Sequence, residues 1–298
     1  MNNKPPVCDY EGSDYQTRFW EMGGRAYEDG CEAIALRRMI PKTGGVMLEV
    51  GAGAGRNTMR YSGYKRIFLL DYSKTQLQQA KDKLGSGEKY IYVVADVYRL
   101  PFKNQIFDAA TMIRVLHHMS DAPLALKQIH QTLKSTSFFI LEYANKRNIK
   151  AIIRYALGKQ EWNPFSDNST ELSPLNFNFH PHTVRKWLSD LGFRIDKILT
   201  VSHLRIGWLK QNMPTSFLVG LDSILQWSGS IFQLTPSVFI RSRLHRNDQP
   251  GDDIGDINSY FKCPICNNSP LFKNPSSLHC TSCGKDWPIE DGIYIFKE

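Results

Sequence analysis

The sequence predicts an α/β protein: a doubly wound, mostly parallel sheet of seven strands, followed by a small C-terminal module organised by cysteines. Three observations carry this expectation. Short apolar runs alternate with stretches of helical spacing from residue 46 to residue 143. A glycine-rich turn, Gly51-Ala-Gly-Ala-Gly55, follows the first run. Four of the six cysteines lie near the end as two Cys-x-x-Cys pairs.

Taken in order, residues 1–43 read as a helical or lid segment. Within it, Tyr15 to Tyr27, with Phe19, Trp20, Gly23 and Gly24, is either a lid or a plain entry helix. Val46–Val50 is a short apolar strand ending in the glycines, which open a helix and leave its N–H groups free for a ligand. Arg66–Leu70 is a second strand, and Tyr72 to Leu84 is helical. Lys89–Ala95 is rich in aromatic and β-branched residues, as a third strand requires. Phe107–Ile113 makes a fourth strand, Ala122 to Leu133 a helix with Leu124, Ile129 and Leu133 facing the core, and Ser137–Tyr143 a fifth strand. Residues 146–180 then form an insertion. His182 to Leu191 is a helix stopped by Gly192, and Phe193–Val201 alternates like a strand. A second insertion, 204–235, contains Phe217 to Trp227, where Phe217, Leu221, Ile224 and Leu225 share one helical stripe. Ser237–Arg241 closes the sheet. The core domain therefore spans 44–245. A linker over 246–258, polar and rich in Gly, Pro and Asp, leads to the cysteine module at 259–298.

Composition narrows the classes. The 298 residues carry a net charge of +8, and 42% are hydrophobic, ordinary for a soluble globular protein. The positive balance favours acidic partners. The start, Met-Asn-Asn-Lys-Pro-Pro, has no apolar run, so a signal peptide is not expected and a cytoplasmic location is. The most apolar stretch, Phe217 to Ile240, is broken by Asp222, Gln226, Gly229 and Pro236, so no transmembrane segment is expected.

Two features sharpen the glycine turn. A dinucleotide fingerprint would need glycine where Arg56 stands. Asp71, 20 residues beyond Gly51, closes the next strand where a carboxylate can accept from ribose hydroxyls. Together, Leu48–Gly55, Leu70-Asp-Tyr-Ser73, Ala95-Asp-Val97, Leu100-Pro-Phe102, Phe107-Asp108 and Val115-Leu-His-His118 resemble the class I S-adenosylmethionine (SAM)-dependent methyltransferases. The likeness is to the branch that includes the ubiquinone/menaquinone-biosynthesis enzymes. It implies a Rossmann-like fold and a SAM site. In it, Glu49 positions the glycine loop near the methionine ammonium, while Gly51, Ala52 and Gly53 border the methionine part by backbone. Asp71 holds the ribose, with Tyr72 against the adenine. Asp96 faces the adenine amino group, Val97 the ring, and Arg114 the region of the sulfonium. His117 and His118 are candidates for a general base or are structural; no catalytic residue is assigned.

Cys263-Pro-Ile-Cys266 and Cys280-Thr-Ser-Cys283 place two thiolates on each of two tight turns, the pattern of a four-cysteine structural zinc site. Cys8 and Cys31 read as ordinary thiols. The tail Cys283-Gly-Lys-Asp-Trp-Pro-Ile-Glu-Asp-Gly-Ile293 resembles the small zinc-ribbon proteins that activate methyltransferases of the translation machinery. That resemblance implies RNA or a translation factor as methyl acceptor, beside the small hydrophobic metabolite that the first one suggests.

Residues 146–210 carry 11 basic and five acidic side chains. Lys146, Arg147, Lys150, Arg154 and Lys159 lie beside Ile149, Ile152, Ile153 and Leu157. This is a solvated amphipathic face, or a contact for an acidic substrate or an anionic membrane surface. Trp208, Phe217, Leu218, Trp227 and Phe232 either line an apolar pocket or pack on the sheet. Two other classes stand beside a methyltransferase: a non-catalytic cofactor-binding scaffold whose ribbon docks a partner, and an NAD-dependent oxidoreductase, against which Arg56 counts.

Overall fold

The structure is a computed structural model that describes residues 5–14, 16–245 and 255–297. A π-helical turn, Gln16–Glu21, leads to helix α1 (Ala26–Met39). Strand β1 (Gly44–Val50), β2 (Tyr64–Asp71), α2 (Lys74–Leu84), β3 (Tyr90–Val94), β4 (Phe107–Met112), α3 (Ala122–Thr132) and β5 (Leu133–Ala144) follow. The first insertion holds α4 (Ile149–Ala156) and the hairpin β6 (Thr170–Ser173) and β7 (Asn176–Asn178). Then come α5 (Pro181–Asp190), β8 (Phe193–Val201), α6 (Gly207–Asn212), α7 (Thr215–Leu225) and β9 (Ser237–Leu244). The cysteine module contributes β10 (Phe272–Asn274), β11 (Ser277–His279), β12 (Asp286–Glu290) and β13 (Ile293–Ile295).

Local chemistry sets these boundaries. Ser73, Asp121 and Asn148 each accept a first-turn amide, of Gln76, Leu124 and Ala151, and so start α2, α3 and α4. The central strands read as continuous apolar runs because helices cover both sheet faces.

The sheet runs β10-β11-β12-β13-β3-β2-β1-β4-β5-β9-β8. Strands β3, β2, β1, β4 and β5 are parallel, and β9 and β8 add antiparallel edges. The block from β3 to β8 is the seven-stranded sheet expected. The full sheet has eleven strands because β13 pairs in parallel with β3, Ile293 to Ile295 lying against Tyr92 to Val94, and carries β12 to β10 with it. An edge strand presents unpaired amides and carbonyls, and the tail satisfies those of β3. The core is shared as well: Phe261, Trp287 and Phe296 of the module join Phe68, Phe102 and Phe107 in one buried cluster. Phe102 and Phe261 stack with ring centroids 5.7 Å apart. Of the expected linker, residues 246–254 lie outside the described residues. Its end is packed rather than loose, since Ile257–Tyr260 is a short 3-10 turn whose Tyr260 carbonyl accepts from the Lys103 amide.

The glycine turn departs from the expectation, and the orientation of α7 is new. The glycine turn opens no α-helix: Gly51, Gly53 and Gly55 all have positive φ, and the chain recovers only as a short 3-10 turn, Thr58–Tyr61. On α7 the stripe Phe217, Leu221, Ile224 and Leu225 faces solvent, and the buried positions are Leu218 and Asp222. Asp222 accepts from Tyr27 Oη and from the His203 backbone amide, which pins α7 to α1 and to the turn after β8. Trp208, Phe217, Trp227 and Phe232 are exposed too, so neither reading of that apolar group holds except for Leu218. Among the described residues, no helix is long and apolar enough to cross a membrane.

Candidate active site

Strand order reverses between β1 and β4, and a crevice opens beyond the carboxyl ends of parallel strands at such a point. A cleft opens here, bounded by the loops that follow the parallel strands. The loops after β1, β2, β3 and β4 form its floor through Gly51–Ala54, Asp71–Tyr72, Val97 and Arg114–Val115. An N-terminal strap closes it, with Val7, Cys8, Tyr10 and Trp20 on the wall. The strap is anchored at the start of α2, where Glu11 accepts from the Lys74 and Thr75 amides, and at Ser120, whose hydroxyl donates to the Pro6 carbonyl.

Gly51 has φ +68°, and a Cβ there would lie 2.1 Å from Val115 Cγ2. Gly51→Ala is therefore expected to cost about 2 kcal/mol or more through backbone strain and overpacking. It should lower the melting temperature and narrow the cleft together; an unchanged melt with unchanged ligand binding would remove this reading of the turn.

The loop amides are not free donors. Those of Gly51 and Ala52 donate to the Leu70 carbonyl at 2.8 and 3.0 Å, and that of Gly53 to Asp71 Oδ2 at 2.8 Å. Asp71 Oδ1 accepts from the Ser73 amide at 3.0 Å. Asp71 thus ties the β1 loop to the β2 loop, and desolvation raises its pKa.

Gly51, Ala52, Gly53, Asp71, Tyr72, Val97 and Arg114 line the cleft. Glu49 and Asp96 do not. Glu49 lies beneath the loop and accepts from Thr58 Oγ1 at 2.6 Å, and burial pushes its pKa up to about 7. Asp96 Oδ1 accepts from the Tyr98 amide, and the residue borders an adjacent crevice shared with Tyr72, Trp287, Phe296 and Lys297. Lys297 Nζ sits 3.9 Å from the Tyr72 ring centroid, so the C-terminal module reaches the adenine end of the expected site.

The two histidines separate. His118 lines the cleft. Its Nδ1 is 3.0 Å from the Leu175 carbonyl, which makes Nδ1 the donor, and its Nε2 is 3.2 Å from Tyr10 Oη. Burial lowers its pKa, so the ring is neutral near pH 7. His117 does not line the cleft; the residue is half-buried, and its buried Nδ1 has no partner among the described residues.

Sequence reasoning missed Glu32 and assigned no site role to Arg56; it placed Trp20 only within a candidate lid, and Trp20 does line the cleft. Glu32, fully buried on α1, receives Arg114 Nε at 2.7 Å and an Arg56 guanidinium nitrogen at 2.8 Å. Burial alone would raise its pKa, but the two guanidiniums more than offset this and hold it below the usual carboxylate value. Trp20 covers Arg56, 3.5 Å from ring centroid to guanidinium. Arg114 has φ +63°, and its amide donates to Glu142 Oε2. Arg56 therefore lies in the cleft wall, and α1 is clamped to both the β1 and β4 loops.

In the C-terminal module, Cys263, Cys266, Cys280 and Cys283 bring their sulfurs within 4.8 Å of one another. The two knuckles are shaped by backbone bonds from the Cys263 amide to Asn268 and from the Cys280 amide to Lys285. A tetrahedron of thiolates about 2.3 Å from a zinc ion spans distances of this size.

Residues 48–141 match a family model described as a methyltransferase domain. An O-methyltransferase, cnsE, of Penicillium expansum is 33% identical over 148 residues, 45% of this chain and 52% of that protein. A demethylmenaquinone methyltransferase of Protochlamydia amoebophila is 37% identical over 105 residues, 31% of this chain and 42% of that protein. The chain thus spans about half the length of the curated relatives it matches. A chain from a Haloferax volcanii complex containing the Trm112 methyltransferase activator superposes with a TM-score of 0.55 at 16% identity, over 78% of this chain and 96% of that one. The shared fold is that of a methyltransferase domain.

Proposed function

We propose that this chain is a SAM-dependent methyltransferase whose C-terminal cysteine module is a structural zinc ribbon. The observation that carries the reading is the cleft at the strand-order reversal, whose floor is built by a segment that matches a methyltransferase domain. Bound SAM supplies an electrophilic methyl group, so the chain's own task is to bind, orient and exclude water.

Residue by residue, the expected roles become proposals. Asp71 holds the ribose while it closes the glycine loop, and Tyr72 and Val97 flank the adenine. Asp96 serves the amino group from behind the Tyr98 turn. Gly51, Ala52 and Gly53 leave room for the methionine part, with Glu49 beneath them. Arg114, held by Glu32, fixes the wall beside the reacting carbon. His118, on the cleft wall with Nε2 beside Tyr10 Oη, is the side chain placed to take a proton there from an acceptor; His117, off the cleft, is not. Methyl transfer in line to an oxygen, nitrogen or carbon nucleophile then needs only an acceptor under the strap.

Glu49 gives a pH signature. Because burial raises its pKa to about 7, ionising it opposes folding as pH rises from the ordinary glutamate range to 7. A ligand ammonium favours the ionised form, so SAM affinity should rise between pH 6 and pH 8, on either side of that pKa. In Glu49→Gln it should be flat. Titrations at a series of pH values decide this, and a flat wild-type profile overturns the role.

The four thiolates would hold Zn²⁺ in a closed site, which is structural because it leaves no position for substrate. Paired on β3, the ribbon is read as an activator module within the same chain. For the acceptor, a small molecule and an RNA or translation factor both suit a basic protein, and acidic partners of 146–210 belong to the same proposal. The test is incubation of the zinc-loaded chain with methyl-labelled SAM and separated RNA, protein and small-molecule fractions. Label carried by wild type and not by Asp71→Ala supports an enzyme. A cofactor-bound chain that labels no fraction supports the scaffold reading.

A further inference from the structure

We propose that the face formed by α4 and the 206–234 segment docks on an anionic lipid bilayer, whatever the methyl acceptor. Of 20 large hydrophobic residues exposed among those described, 14 lie in 149–157 or 206–234. Soluble domains rarely gather so much exposed apolar surface without a use for it. On α4 the residues Ile149, Ile153 and Leu157, one turn apart, are all exposed, and Ala151 is the only buried residue of the helix. On α7, Ile224 is 70% exposed, and Ile231 just beyond the helix is 72% exposed.

The two segments are joined. The Ile149 amide donates to the Leu234 carbonyl at 2.8 Å, and Lys150 Nζ donates to the Arg205 carbonyl at 2.7 Å. The start of α4 therefore touches both ends of the 206–234 segment.

Charge identifies the occupant. Residues 146–159 carry five basic side chains and no acidic one, and Lys150, Arg154 and Lys159 are exposed among the isoleucines. In the second segment the only carboxylate, Asp222, is buried and paired. Aliphatic side chains that enter an acyl boundary, cations on long stems that reach headgroups, and Trp208 at 67% exposure make up the composition of an interfacial surface. A two-fold contact between copies would set the α4 cations against themselves. RNA offers no apolar medium for Ile153, Leu157 or Ile224.

The test is flotation of the full chain with vesicles of phosphatidylcholine alone and of equimolar phosphatidylcholine and phosphatidylglycerol. Wild type should float with the mixed vesicles and about tenfold less with the neutral ones. Ile153→Glu combined with Ile224→Glu should weaken flotation by about tenfold or more at low salt, since each change removes an inserted side chain. Its melting temperature should not change, because both side chains are exposed. Trp208→Ser with Phe232→Ser repeats the test should that pair fold poorly. Arg154→Glu with Lys159→Glu should erase the preference for anionic vesicles. No flotation with either vesicle, or flotation of both apolar variants equal to wild type, overturns the proposal. So does a concentration-dependent dimer, or RNA retention, in a chain that binds no vesicles.

Discussion

Removing the metal from the zinc-loaded chain is expected to lower its melting temperature steeply and to weaken SAM binding by about 5- to 150-fold. Four sulfurs converge in a module too small for a core of its own. What a metal held by these sulfurs would brace is part of the main sheet, because β13 supplies the partner for β3 and the Phe296 amide donates to the Val94 carbonyl at 2.8 Å. Two residues further along the chain stands Asp96, and Tyr72 lies under Lys297. Freeing Trp287 and Phe296 would therefore loosen the proposed adenine end of the cleft as well as the module. Chelation followed by calorimetry and thermal melts, with zinc added back, reads both effects. If chelation lowers the melting temperature and leaves SAM affinity untouched, the ribbon is a separate stabilising appendage.

Glu32→Ala is the second large effect. Its carboxylate is fully buried and faces two guanidiniums, and removing one member of such a group leaves buried charge uncompensated, at about 3–5 kcal/mol. Arg114 and Arg56 would both be released, so the cleft wall should lose its shape and SAM affinity should fall with stability. Glu32→Gln keeps the size and part of the hydrogen bonding and should cost less. The pH dependence follows from the sign of the shift. With the folded pKa below the ordinary glutamate value, this carboxylate stabilises the fold above that value, and its contribution is lost as pH falls through the folded pKa. Wild type should therefore lose more stability on acidification than Glu32→Gln does. Equal acid sensitivity in the two proteins would show that the pair contributes nothing to the fold.

Much of this site could be read in the sequence because backbone rules place it. Val46–Val50 and Arg66–Leu70 are apolar runs that only a doubly covered parallel sheet accommodates, and their ends fix where Gly51 and Asp71 stand. The seven-stranded block and the places of Gly51 and Asp71 follow from that, while Tyr72, Val97 and Arg114, which also line the cleft, were legible only through the resemblance to the methyltransferases. Glu32 could not be read in the same way. It lies on a helix whose buried face mixes Glu28 and Glu32 with Cys31, Ala35 and Leu36, so no apolar period marks it, and its partners come from two distant loops. Strand β13 is three residues long and has meaning only beside β3. On α7, spacing correctly placed Phe217, Leu221, Ile224 and Leu225 on one face. Periodicity says which residues share a face and not which face meets the protein; here Asp222, bonded to Tyr27 and His203, turns the polar side inward.

The cofactor site itself is tested most directly by calorimetric titration of the zinc-loaded full chain with SAM, beside Asp71→Ala. Expected is one site per chain with micromolar affinity, lost in the variant because the proposed ribose partner and the hold on the Gly53 amide are removed together. A folded, zinc-loaded chain that gives no binding heat at several temperatures and does not retain labelled SAM at equilibrium would contradict the assignment of this cleft.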